Sequence, residues 1–151
     1  MRMYPVMLDI RRFKVLIIGG GKIGTRKTNG ILEAGGSATV IAPHVSDTIQ
    51  QLAADDKIIL KRRAFAAGDT RGFDLIFLCT DDPLVHRAAE KEVGPHQLIN
   101  DTMKKASSNF YNMGVLTENE VVLAVSTLGK SPAHTKKVLE KLKKSAADLL
   151  Q

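Results

Sequence analysis

Glycines at positions 19, 21 and 24 stand in the order G-x-G-x-x-G. That spacing suits the pyrophosphate of a dinucleotide. Gly19 permits a tight turn, Gly21 lets the backbone approach the phosphates with no side chain between, and Gly24 lets a following helix press against the preceding strand. Free N–H groups and the positive dipole end of that helix then face the anion. Three spaced glycines also arise by chance in a chain with 12 in 151 residues, and would then make a structural turn without a ligand.

The neighbours favour the nucleotide. Val15-Leu16-Ile17-Ile18 suits a strand covered on both faces. Residues 25–34 read as a helix whose Ile23, Ile31, Leu32 and Ala34 share a face before Gly35 ends it. A second strand at Ala38-Thr39-Val40-Ile41-Ala42 completes a βαβ unit. The acid that usually holds the ribose about twenty residues after the glycines has no counterpart, because this strand leads into Ala42-Pro43-His44. Backbone groups or His44 must hold the ribose, so the choice between NAD and NADP stays open.

Other reactive side chains receive plainer readings. Cys79 lies in the apolar run Leu75-Ile76-Phe77-Leu78-Cys79 and is expected to pack rather than react. Asp82 before Pro83 reads as a helix cap. His86 and His96 are expected to face solvent. No spaced Cys/His/Asp cluster points to a resident metal.

These residues need elements to position them. After the βαβ unit, 45–54 reads as a short helix, 57–62 as a third strand, 74–80 as a fourth, 82–93 as a helix and 97–100 as a fifth strand. Alternation of this kind indicates an α/β, Rossmann-like, doubly wound parallel sheet, with ligands beyond the carboxyl ends of the strands. Beyond Ser108 the pattern changes. Residues 109–116 and 120–127 read as an antiparallel hairpin, followed by a helix from Pro132 that Ser131 can cap. We therefore expect a nucleotide-binding domain at 1–108 and a small α+β segment at 109–151. The hairpin's Val115, Val121, Leu123 and Val125 need more cover than the last helix gives, so a second copy of the chain is expected to complete a homodimer.

Composition bounds the rest. With 44% hydrophobic residues the chain supports one substantial core. No apolar run reaches the ~18 residues of a membrane helix, and Met1-Arg2-Met3-Tyr4-Pro5 lacks the apolar stretch of a signal peptide, so a cytoplasmic protein without a membrane partner is expected. A formal charge of +6 raises the question of nucleic acid. Scattered basic residues and few aromatics argue against it, and a small polyanionic substrate explains the charge equally well.

Taken together, Tyr4-Pro5-Val6-Met7-Leu8-Asp9, GGGKIGTRK at 19–27, ILEAG at 31–35, TDD at 80–82 and STLGKSP at 126–132 resemble the precorrin-2 dehydrogenase family, the siroheme synthase N-terminal module. The resemblance covers nearly the whole chain. It implies NAD-dependent oxidation of precorrin-2 to sirohydrochlorin by a homodimer, with ferrous iron as a further substrate in those members that are also ferrochelatases. Carried over by position, it implies cofactor contacts at Gly21, Lys22, Ile23, Pro43, His44, Thr80 and Asp81, beside Gly19 and Gly24 of the turn.

A macrocycle bearing eight carboxylates would suit the basic carboxy-terminal third. Its candidate contacts are Gly129, Ser131, His134 and Lys136 around the last helix start, against a reading of the lysines as a solvated face. The match departs at one place. Met103 stands where the family's catalytic aspartate falls, and methionine cannot move a proton. Asp101 is the nearest acid and the candidate in its stead, with a turn or helix-cap carboxylate as its other reading. The rival function is a non-catalytic NAD-binding sensor.

Overall fold

A computed structural model describes residues 3–149. The chain divides into two compact units, one spanning Pro5–Phe110 and the other built mainly from Tyr111 onward.

The larger unit begins with β1 (Lys14–Gly20), followed by α1 (Lys22–Glu33), β2 (Ser37–Val45) and α2 (Asp47–Ala54). It continues through β3 (Ile59–Lys61), β4 (Leu75–Leu78), α3 (Pro83–Glu92) and β5 (Leu98–Asp101). The strands form one sheet in the order β3-β2-β1-β4-β5, and every pairing is parallel. β1 is central, and its apolar run lets it serve both faces. Val15 and Ile17 pack with Ile31 of α1 and Ile49 of α2. Leu16 and Ile18 pack with Ala89 of α3 on the other face. This is the doubly wound arrangement expected of strands apolar on both sides.

Several boundaries differ from expectation, each for a local reason. β2 runs on through Pro43 and His44 to Val45, which pairs with Gly20 across a register shift. Ser46 then caps α2, its Oγ accepting from Ile49 N at 3.3 Å, so the helix starts at Asp47. β4 stops at Leu78, and Cys79 lies one residue beyond it, still donating its N–H to the Ile18 carbonyl at 2.7 Å. Residues 109–113 are not strand. Asn109 instead turns its side chain to β5, where Oδ1 accepts from Ile99 N and Nδ2 donates to the Gln97 carbonyl, both at 2.8 Å. Phe110 packs edge-on against Phe77, with centroids 5.4 Å apart.

The smaller unit holds the antiparallel pair β6 (Gly114–Glu118) and β7 (Val121–Val125), then α4 (Pro132–Leu149). Asn119 has φ +52°, which closes the tight turn between the strands. Gly114 lets α4 approach closely, for a Cβ there would lie 2.5 Å from Leu139 Cδ1 and 2.8 Å from Thr135 Cγ2. Leu123 and Val125 are half covered, while Val115, Val121 and Val122 stay exposed. Between Tyr111 and Ser145 no residue is buried.

Candidate active site

The glycine turn is built as its spacing predicts. Gly19 has φ +111°, and a Cβ there would strike the backbone of Cys79 and Thr80. A Cβ on Gly24 would collide with the Gly19 carbonyl oxygen. Gly21 differs from both, because a Cβ built on it meets nothing within 4 Å. The first and last glycines thus serve the fold, while the middle one faces open space. Lys22 and Ile23 beside it are exposed.

Capping separates α1 from the other α-helices. Ser46 caps α2, the Asp82 carboxylate caps α3 by accepting from Leu84 N at 2.8 Å, and Ser131 Oγ accepts from His134 N at 3.2 Å at the start of α4. Gly21 at the start of α1 brings no side-chain cap. The first-turn amides of α1 therefore point outward at the carboxyl edge of the sheet with no side-chain acceptor, which is the donor set a phosphate group needs. These residues fit a dinucleotide.

Two residues that sequence reasoning passed over brace this turn. Thr25 donates its hydroxyl hydrogen to the Gly21 carbonyl at 2.9 Å or shares one with Ser46 Oγ at 2.8 Å. Ser46 N–H donates to the Gly20 carbonyl at 2.9 Å. The glycine turn is so tied to the end of β2, where Pro43 and His44 are exposed. A serine directly before a helical run was the available signal.

After β4, Thr80 is partly covered and Asp81 is exposed. Thr80 Oγ1 accepts from Asp82 N at 3.2 Å, and Asp82 holds the helix-cap role foreseen for it. Burial pushes the Cys79 thiol up to about 12, so it packs as a neutral side chain.

His86 overturns its sequence reading. It is 5% exposed rather than solvent-facing, with Nε2 2.8 Å from the Thr80 carbonyl and Nδ1 3.0 Å from Asp101 Oδ1. Val85 and Ala89 of α3 pack inward, as does Val93 at its C-cap, and His86 lies one turn before Ala89. The helical stripe was therefore visible, and the polar side chain masked it. His96 is exposed, as expected.

Asp101 ends β5 with its carboxylate fully covered. Oδ1 accepts from Met103 N at 2.8 Å and Lys104 N at 2.7 Å, which is the turn role weighed for it. Met103 is 54% exposed. Within the smaller unit, Gly129 has φ +69°, and Thr127 Oγ1 accepts from Ser131 N at 3.1 Å, closing the loop that presents α4. His134 is exposed, and Lys136 pairs with Glu140 only loosely, at 3.9 Å. Among the described residues no group of three or more His, Cys, Asp or Glu is placed to hold a metal ion.

A protein-family model described as NAD(P)-binding matches residues 6–113. Precorrin-2 dehydrogenase from Priestia megaterium is 34% identical over 140 residues, covering 93% of this chain and 69% of that protein. The Bacillus subtilis (strain 168) protein of the same name is 30% identical, covering 94% and 88%. The solved structure of SirC, precorrin-2 dehydrogenase, superposes with a TM-score of 0.85 at 33% identity, covering 95% of this chain and 71% of that one.

The chain belongs to the precorrin-2 dehydrogenase family. Membership agrees with both the sheet order and the glycine turn, and it gives the uncapped start of α1 its ligand class. The family's NAD(P)-binding module ends at 113, just past Phe110, where the larger unit closes.

Proposed function

We propose that this protein oxidises precorrin-2 to sirohydrochlorin with NAD, in siroheme biosynthesis. The observation that carries the reading is the uncapped amide set at Gly21, open to a ligand and placed directly after the central strand. Bound there, NAD supplies the acceptor for the hydride that leaves the macrocycle. Gly21, Lys22 and Ile23 would lie along the pyrophosphate, Pro43 and His44 beside the ribose, and Thr80 and Asp81 beside the far half of the cofactor. Gly19 and Gly24 shape the turn.

The reaction also releases a proton. Asp101 is the acid nearest the family's catalytic position, and its complete burial favours action through the loop it holds, by fixing the Met103 and Lys104 amides. Around Gly129, the Ser131 hydroxyl hydrogen and the exposed His134 and Lys136 supply donors suited to substrate carboxylates. The smaller unit supports a homodimer as part of this reading. Thirty-odd residues without one buried side chain cannot support a fold alone, and the exposed Val115, Val121 and Val122 supply an apolar face for a second copy.

The test is anaerobic turnover of precorrin-2 with NAD, following NADH and sirohydrochlorin absorbance together. Appearance of both in equal amounts is expected, and addition of ferrous iron reads chelatase activity in the same vessel. Bound NAD without NADH formation would favour the sensor instead.

A further inference from the structure

The buried imidazole of α3 has a proton count that its neighbours constrain. Nε2 of His86 faces the Thr80 carbonyl at 2.8 Å, and a carbonyl only accepts, so Nε2 carries a hydrogen. Nδ1 lies 3.0 Å from Asp101 Oδ1, with the two side chains 7% and 0% exposed. That same oxygen already accepts two backbone N–H groups, so it meets Nδ1 as an acceptor. A bare Nδ1 would bring two electron-rich atoms within 3.0 Å of each other at a buried position. A hydrogen on Nδ1 removes the conflict. Neither Nδ1 nor Asp101 Oδ2 has an aligned hydrogen-bond partner among the described residues, so the 3.0 Å approach of Nδ1 to Oδ1 is a close charge contact rather than a linear hydrogen bond.

The charged groups around the pair have partners of their own, although Glu90 also feels the Asp101 charge. On α3, Glu90 is engaged by Lys104 Nζ at 3.1 Å and by Ser107 Oγ at 2.6 Å. The Asp82 carboxylate accepts from the Leu84 amide at the start of α3, and Cys79 after β4 is neutral. Lys27 of α1 stands over the Phe77 ring, 4.9 Å from its centroid.

We propose that His86 is a positioning residue of the oxidation, an imidazolium that ties the Thr80 carbonyl after β4 to the Asp101 carboxylate after β5. Two loops at the carboxyl edge of the sheet are thereby held at fixed separation. One carries the Thr80–Asp81 contacts to the cofactor, and the other carries the acid nearest the expected catalytic position. The inference rests on the oxidation proposed above for its purpose, and on the buried pair alone for its charge state.

Histidine-selective 15N NMR of the cofactor-free protein tests the charge state. Both ring nitrogens of His86 are expected to be protonated, and Asp101→Asn should return the ring to the neutral form with hydrogen on Nε2 alone. In turnover, His86→Leu should raise KM for NAD about tenfold while kcat falls less than about threefold, since it loosens a loop without removing a reacting group. A bare Nδ1 in the unaltered protein overturns the proposal, and so does a folded His86→Leu with unchanged KM. If the leucine variant does not fold, the spectrum of the unaltered protein still decides. Failure of the unaltered protein to bind NAD is a separate result that sinks the oxidation and the positioning role with it, whatever the ring's charge.

Discussion

Gly21 and Gly24 look alike in sequence and do opposite work, which makes them separable by experiment. Gly21→Ala places a methyl group in open space and should leave the melting temperature within about 2 °C, yet cost about tenfold in NAD affinity by titration calorimetry. Gly24→Ala drives its methyl into the Gly19 carbonyl and should destabilise by about 1–3 kcal/mol in urea unfolding as well. Lys27 gives a pH signature. Burial lowers its ammonium from 10.5 to about 8, so between those values the unfolded chain holds a proton that the folded one has released. Stability from this group therefore rises with pH across that window, and Lys27→Met should flatten the rise in urea midpoints. Residue by residue, the sequence showed the glycine turn and the Asp82 cap because each is a local device. His86 was hidden, since its burial depends on Asp101 and Thr80, and no spacing rule joins a helix to the ends of two strands.

Among the elements, those with a strong local pattern were legible and those fixed by distant partners were not. β1, β4 and the helices after them follow from apolar runs, caps and glycines. The length of β2 depended on Val45 meeting Gly20, and the ending of the hairpin's first strand depended on Asn109 turning to β5. Neither is written in its own segment. The brace between Thr25 and Ser46 belongs at this scale, since it joins the α1 start to the α2 start. Ser46→Ala removes the α2 cap and the brace together, and should cost about 1 kcal/mol in stability. NAD affinity should fall alongside, whereas Asp82→Ala should lower stability by a similar amount through its cap alone. Comparing melting curves with NAD titrations for the two variants separates capping from bracing.

At the scale of the whole molecule, the two units differ in how they meet the need for a core. Pro5–Phe110 has apolar clusters on both faces of its sheet, while the unit from Tyr111 has none among its described side chains. Val122→Glu, on an exposed position of β7, should shift sedimentation from dimer to monomer and leave NAD affinity within about twofold. A monomeric unaltered protein would remove the dimer from the proposal. Asn109 also governs how copies can meet. A parallel sheet of five strands ends on β5 with backbone groups that invite another strand to continue the ladder, and one primary amide occupies the Ile99 N–H and the Gln97 carbonyl there. With that rim stoppered, runaway stacking of Rossmann sheets is discouraged on this side, which agrees with the proposed pairing of two copies through the valine-rich hairpin.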